Sequence, residues 1–214
     1  MGEREIYHIL EITSGICELL PFIIFLVVFK KLPEYCLPIA IMICVSLVVE
    51  SINYFCISNT INNLIVFRVY TFLETFFVCF FYFKFYKQYF SSFYFLLPLP
   101  LLAVVAVIDY NINGAEHFDN YTTAFEAITF SIFSMWSFYY MLNKMIFPKL
   151  IDAPFFWINN AVLFYFGGNL ILFIFDNYLI KFEPKSHLAM WAIHSVLNIV
   201  YSVLISIGFW KARK

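Results

Sequence analysis

Apolar residues run along the chain in long stretches that short polar segments separate. Seven of these stretches are long enough to cross a bilayer as a helix, which takes ~20 mostly apolar residues. The seven are Ile9–Phe29, Glu34–Ile57, Ile61–Tyr86, Phe93–Tyr110, Asn120–Leu142, Phe155–Ile180 and His187–Trp210. Since irregular backbone cannot face lipid, each stretch is predicted to be a transmembrane helix.

The composition excludes several classes of soluble protein. Of the 214 residues, 63% are hydrophobic and 13% are charged, whereas a soluble domain has ~45–50% apolar and ~25% charged residues. The net charge of −1 gives no sign of a polyanionic partner. A soluble enzyme, a nucleic-acid-binding protein and a disordered chain are therefore excluded. The sequence predicts one all-α, polytopic membrane domain over residues 1–214, with the lipid bilayer around it.

Basic residues are distributed unequally between the two ends of the predicted helices. Three of them, Arg4, Lys181 and Lys185, lie at one end, and nine lie at the other. The nine are Lys30, Lys31, Lys84, Lys87, Lys144, Lys149, Lys211, Arg213 and Lys214. Because basic residues concentrate on the cytoplasmic side, the N-terminus is predicted to be outside and the C-terminus cytoplasmic.

The third and seventh stretches share a pattern of aromatic and polar positions. When residues 63–74 are aligned with residues 187–198, similar side chains coincide at several places. The aligned pairs are Phe67/Trp191, Tyr70/His194, Thr71/Ser195 and Glu74/Asn198. In the preceding stretches, the aligned pairs are Glu50/Asn169 and Glu11/Glu126. Chance similarity between apolar helices is the alternative explanation.

This alignment predicts a parallel 3+1+3 repeat. Repeat one covers about 7–86, a linker helix covers 93–110, and repeat two covers about 120–210. Parallel repeats of this kind are related by an axis along the membrane normal.

Two resemblances accompany these features. The 3+1+3 order with an outside N-terminus is similar to the architecture of the SWEET sugar facilitators and their PQ-loop relatives, although the chain contains no Pro-Gln dipeptide. The segments 155–160 (FFWINN), 165–169 (YFGGN) and 191–198 (WAIHSVLN) resemble an uncharacterised family of small seven-helix membrane proteins from Bacteroidota. The second resemblance implies a location in the bacterial inner (plasma) membrane and brings no activity with it.

Polar residues inside the predicted helices form two layers, as counted from the span ends at ~1.5 Å per residue. The shallower layer, ~9–11 Å below the outer surface, contains Glu50, Arg68, Glu126 and His194. The deeper layer contains Glu18, Glu74, Asn169 and Asn198. An ionised group at the bilayer centre costs ~2.5–3.5 kcal/mol, so these side chains are expected to face the bundle interior and to pair.

Glu50 and Arg68 share a depth on adjacent helices and are predicted to form an ion pair. The pair either only fixes the packing of the two helices or also takes part in function.

The other polar positions are candidates for a ligand site. The candidate ligand-binding residues are Glu18, Tyr70, Glu74, Glu126, Asn169, Trp191, His194 and Asn198. The alternative is that such groups only hold helices together by hydrogen bonds.

Two local features are expected to disturb helices. Pro21 is predicted to kink the first helix. Gly167 and Gly168 are expected to interrupt the sixth, either through close packing of small residues or as a hinge whose backbone lines a cavity.

Catalysis has little support in the sequence. Only His194 of the four histidines lies well inside a predicted helix, and the seventh stretch has no lysine before Lys211 to bind retinal. We predict no catalytic set, no metal site and no cofactor, although a Glu/His/Ser acid–base set stays open.

The sequence therefore predicts that the chain binds a small solute in an outward-opening polar cavity and transports it. The first alternative is a sensor that signals through a partner protein. The second is an intramembrane enzyme that acts on a lipid-like substrate. A second copy of the chain stays open as a partner, and the sequence does not identify the ligand.

Overall fold

The computed structural model describes residues 3–213, and its regular elements are helices. The α-helices are α1 (Glu3–Cys17), α2 (Leu19–Val28), α3 (Leu37–Ser58), α4 (Leu64–Tyr86), α5 (Pro98–Asn113), α6 (Asn120–Lys144), α7 (Pro154–Phe182) and α8 (Pro184–Lys211). Short 3₁₀ helices lie at Phe29–Lys31, Glu34–Cys36, Phe93–Leu96 and Leu150–Asp152. The prediction of an all-α fold is confirmed for this part of the chain.

The first predicted helix is divided in two. α1 ends at Cys17 and α2 begins at Leu19, with Glu18 between them. Proline has no N–H, and its ring crowds the carbonyl four residues earlier, so Pro21 cannot bond to Cys17 in the helical pattern. The predicted disturbance at Pro21 is thus confirmed, and it leaves Glu18 at the break.

Six segments of the described chain are long and apolar enough to cross a membrane. They are Tyr7–Lys31, Glu34–Ser58, Leu64–Tyr86, Phe93–Asn113, Pro154–Phe182 and Lys185–Lys211. Helix α6 is 25 residues long, but its composition is too polar for it to be one of the six. The protein is therefore an integral membrane protein with several spanning helices.

The helices pack side by side in a ring, largely in the order in which they follow one another in the chain. α3 packs on α2 and α4, and α6 packs on α4 and α7. α8 closes the ring because it packs on α7 and on both α1 and α2. α5 packs on α4 and α6. Residues that are distant in sequence therefore meet inside the ring.

One end of the ring is filled by an aromatic layer. We define this layer as Phe81, Tyr82, Phe85, Tyr86, Phe95 and Phe155, of which none is more than 5% exposed. The rings of Phe85 and Phe155 stack with centroids 3.5 Å apart. The Tyr82 hydroxyl donates a hydrogen bond of 2.8 Å to Asn159 Oδ1, which links α4 to α7. This end of the bundle is therefore densely packed.

Helix α7 continues without interruption through Gly167 and Gly168. A Cβ atom on Gly168 would lie 2.7 Å from Leu197 Cδ1 of α8. Close packing of α7 against α8 therefore explains the glycine at position 168. Of the two predicted roles, close packing therefore agrees with the structure at Gly168 and a hinge or an unwound backbone does not, because α7 is continuous here.

Candidate functional site

A cavity of about 200 Å³ lies in the half of the ring away from the aromatic layer. Its walls come from Glu18, from α3, α4, α6, α7 and α8, and from the segment between α5 and α6. The lining extends to the end of the bundle where α3 and α7 end and where α4, α6 and α8 begin. The ring is thus hollow at one end and filled at the other.

The cavity brings together most of the polar residues that the sequence singled out. Asn169 is the exception, since it is buried outside the lining and its Nδ2 donates to the Tyr165 carbonyl at 2.9 Å within α7. The other seven candidate ligand-binding residues line the cavity: Glu18, Tyr70, Glu74, Glu126, Trp191, His194 and Asn198. Their role in binding a ligand stays a prediction.

Hydrogen bonds from neutral groups hold the deeper carboxyl side chains. Asn198 Nδ2 donates to Glu18 Oε1 at 2.5 Å and to Ser14 Oγ at 2.9 Å. Thr75 Oγ1 donates to Glu126 Oε1 at 2.6 Å, which joins α4 to α6. The bond puts Glu126 beside the residue that follows Glu74, so Glu126 belongs to the deeper layer and not to the shallower one predicted from the sequence. These bonds fix the direction of the carboxyl groups without neutralising them.

Glu74 has a weaker partner. The Tyr70 hydroxyl donates to Glu74 Oε1 over 3.4 Å, from one turn earlier on α4. Glu74 is buried, and it lies within electrostatic range of Glu18 and Glu126. Glu18, at the break between α1 and α2, therefore lines the same cavity as Glu74 of α4 and Glu126 of α6.

Nearer the open end, Asp176 of α7 is paired with α8. His187 Nε2 lies 3.0 Å from Asp176 Oδ1, and the Trp191 indole N–H donates to the same oxygen at 3.3 Å. Trp191 in turn contacts His194, with ring centroids 4.8 Å apart. One face of α8 thus presents a continuous series of polar and aromatic groups.

The predicted ion pair between Glu50 and Arg68 is not formed. Among the described residues no ion pair joins them, and the Arg68 guanidinium donates instead to the carbonyl oxygens of Gly114 at 2.6 Å and His117 at 2.9 Å. Carbonyl groups at the end of a helix lack helical partners and need other donors. Arg68 supplies these donors just beyond the end of α5, while Glu50 remains exposed at the edge of the cavity.

Residues 114–119, which we call the roof segment, lie across part of the end at which the cavity opens. Arg68 holds the first half of this segment. Asn177 of α7 holds the second half, because its side chain accepts from the Phe118 N–H at 3.0 Å and donates to the Phe118 carbonyl at 2.8 Å. Phe118 and Asp119 line the cavity from above.

Asp119 is a buried acidic residue of the roof segment. Burial raises the pKa of its carboxyl group. Nearby Asp109 adds to this rise, whereas a backbone hydrogen bond and the positive charge of Arg68 oppose it. The net effect favours the protonated form of Asp119 more than water does.

Sequence reasoning missed two tyrosines of the site, Tyr165 of α7 and Tyr201 of α8. Their rings lie with centroids 4.9 Å apart. Tyr201 is only 6% exposed, and its hydroxyl has no hydrogen-bond partner among the described residues. A signal for Tyr201 was present, since the spacing of Trp191, His194 and Asn198 continues to it three residues later.

The cavity does not resemble a metal centre. Within residues 3–213, no three histidine, cysteine, aspartate or glutamate side chains are grouped to hold a metal ion. No protein-family model, curated protein or solved structure matches the chain.

Proposed function

We propose that the protein is a seven-helix transporter of the bacterial inner membrane that binds a small solute in this cavity and moves it across the bilayer. The observation that carries the proposal is the position of the cavity. It lies within the ring of membrane helices, is lined by polar groups from five of them, and has the aromatic layer beneath it.

Helix α6 is the proposed seventh span. Its polar side chains Thr122, Glu126, Ser134 and Ser137 are buried. Its exposed large side chains are mostly apolar and include Ile128, Ile132, Met135, Tyr139 and Leu142. An apolar exterior around a polar interior is what a lipid-facing helix beside a cavity requires. The polar residues of α6 lower its mean hydropathy, but they face the interior and leave an apolar surface for lipid.

The proposed orientation puts the open end of the cavity outside. The aromatic layer lies at the end of α4 that carries Lys84, beside most of the basic residues that mark the cytoplasmic side. The roof segment lies at the opposite end. The solute would then enter from outside, and the aromatic layer would have to open for it to leave.

The proposed 3+1+3 repeat has support from α4 and α8. Both members of three aligned pairs line the cavity, namely Phe67/Trp191, Tyr70/His194 and Glu74/Asn198. The other aligned positions are divided, since Glu50, Thr71 and Glu126 line the cavity but Glu11, Asn169 and Ser195 do not. Related halves around a shared site suit transport, because they can rock against each other around the solute.

Uptake into proteoliposomes tests the proposal. The purified chain should accumulate a solute from a panel of small polar compounds, and Glu74→Gln, Asn198→Leu and His194→Phe should each abolish accumulation without loss of folded protein. Glu34→Gln, which changes an exposed carboxyl group outside the cavity, should leave accumulation unchanged. Saturable binding without accumulation would favour the sensor, and a chemically altered solute would favour the enzyme.

Thiol labelling tests the direction in which the cavity opens. In a variant whose five native cysteines are replaced by alanine, Tyr70→Cys and His194→Cys should react with a water-soluble thiol reagent added outside. Phe81→Cys, in the aromatic layer, should resist the same reagent. If positions 70 and 194 resist labelling in folded protein, the cavity does not open outward.

A further inference from the structure

The charges around the cavity are unbalanced. Six carboxyl groups line it, whereas no lysine or arginine is among its described lining residues. The six belong to Glu18, Glu50, Glu74, Asp119, Glu126 and Asp176. Within residues 3–213, Asp176 alone of the six has a titratable base within ion-pair distance, since His187 Nε2 lies 3.0 Å from it. The lining therefore carries carboxyl groups from every contributing element except α8.

The deepest carboxyl groups have the greatest need of a counter-charge. Glu74 and Glu126 are buried on different helices, and they accept hydrogen bonds from the neutral hydroxyls of Tyr70 and Thr75. Ionised carboxylates that lie close together in a low-dielectric site destabilise one another unless a proton or another cation neutralises them. A ligand that carries a positive charge would supply that cation.

A second and independent observation concerns Tyr201. Its hydroxyl is buried at the cavity wall without a hydrogen-bond partner among the described residues. A buried polar group is normally paired, and its isolation is costly. An ammonium N–H can donate to this oxygen, so the same ligand group that neutralises a carboxylate also satisfies Tyr201.

The remaining walls suit an organic cation. Tyr165 and Tyr201 lie side by side, and Trp191 lies against His194. Aromatic faces attract ammonium groups and also pack against the apolar part of such a ligand. The volume of about 200 Å³ is below the ~300–1,000 Å³ of pockets for drug-sized ligands. The occupant is therefore a small molecule.

We propose that the cavity binds a small primary organic ammonium ion, with the ammonium group held by Glu74, Glu18 and the Tyr201 hydroxyl and the apolar part packed on the neighbouring rings. This proposal rests on the proposed function in one respect, since both require the cavity to admit a solute.

Three ligands of one shape test the charge requirement on the unmodified protein. Benzylammonium, neutral benzyl alcohol and anionic benzoate are titrated by calorimetry into the full chain in neutral nanodiscs, with methylammonium and butylammonium as smaller probes. At least one ammonium ion should bind saturably, and benzylammonium should bind more tightly than the alcohol or the acid. Equal binding of all three benzyl compounds, or no binding of any ammonium ion, overturns the proposal.

Matched variants locate the site. Glu74→Gln should weaken ammonium binding about tenfold or more, because it removes one partner of a buried charge pair. Tyr201→Phe removes a single oxygen and should weaken binding of the primary ammonium ion to a smaller extent. Glu34→Gln should have no effect. Equal losses in Glu74→Gln and Glu34→Gln, or stabilisation by Na⁺ or Mg²⁺ with none by an ammonium ion, also overturn the proposal.

The two proposals fail in different ways. Ammonium binding in nanodiscs without uptake into proteoliposomes retains the ligand class and rejects transport. Uptake of a neutral or anionic solute, with no ammonium binding, retains transport and rejects the ligand class.

Discussion

The side-chain amide of Asn198 in α8 donates a hydrogen bond of 2.5 Å to Glu18 Oε1, at the break between α1 and α2. The two residues are 180 positions apart in the chain. The bond joins the last helix of the ring to the first, and it does so at the wall of the cavity. The same pair of residues therefore contributes both to the closure of the ring and to the wall of the cavity.

A double-mutant cycle should measure this coupling. Asn198→Leu and Glu18→Leu should each lower the free energy of unfolding, and their effects should be non-additive by about 0.6–1.7 kcal/mol, the range for hydrogen bonds between membrane helices. Asn160→Leu is a matched control, because Asn160 Nδ2 donates only within its own helix, to Phe156. Additive effects of Asn198→Leu and Glu18→Leu would contradict the bond.

Arg68→Gln should loosen the roof segment, because it removes the guanidinium that donates to Gly114 and His117. Backbone amides of residues 114–119 should exchange faster with deuterium. Glu50→Gln should leave this exchange unchanged, since Glu50 does not pair with Arg68. If Glu50→Gln has the same effect as Arg68→Gln, the two residues do form an ion pair.

Alanine substitutions at Gly208 and Gly167 should have different effects on the stability of the protein. A Cβ on Gly208 would lie 2.9 Å from Ile158 Cγ1 and 3.2 Å from the Pro154 carbonyl oxygen, so Gly208→Ala should cost ~1–3 kcal/mol of stability. A Cβ on Gly167 would lie no closer than 3.5 Å to its nearest neighbour. Because alanine favours helices by up to ~1 kcal/mol, Gly167→Ala should be neutral or stabilising. Thermal unfolding in detergent compares the two variants.

Asp119→Asn should change how stability depends on pH. Burial raises the pKa of Asp119 above its unfolded value of 3.8. The resulting stabilisation is present in full below that value and is lost as pH rises through the folded pKa. The unfolding midpoint of the wild type should therefore fall relative to Asp119→Asn as pH increases from 3.8. Parallel pH curves for the two proteins would contradict this effect.

Reporter fusions should establish the orientation. A green fluorescent protein fused after residue 214 should fluoresce, and alkaline phosphatase at the same position should be inactive, because the C-terminus is predicted to be cytoplasmic. Fusions after residue 183, before α8, should give the opposite pattern. An active phosphatase at residue 214 would reverse the proposed orientation and place the open end of the cavity inside.

Much of the site could be predicted because lipid restricts where polar groups can lie. Glu74, Glu126 and Asn198 were placed in the interior since charged and amide groups in an apolar helix must avoid the bilayer. The helical rise alone put Glu74 and Asn198 in one layer but put Glu126 in the shallower one, whereas its bond to Thr75 places Glu126 beside Glu74. The residue type of Tyr201 gives no direction, because tyrosine is stable both in lipid-facing and in interior positions; only its spacing from Trp191, His194 and Asn198 indicates that it faces the cavity.

The sequence by itself determined the helical class, the positions of the helices and the break near Pro21, because these depend on local hydrogen bonding and on apolar length. Only the tertiary structure decided which residues contact one another across helices. Arg68 donates to backbone carbonyls instead of Glu50, and Gly168 packs against Leu197, because both outcomes depend on how neighbouring helices are rotated and on where a distant loop returns. The depth of a residue in the membrane follows from its position along its own helix. A contact between two residues also depends on how their two helices are placed relative to each other.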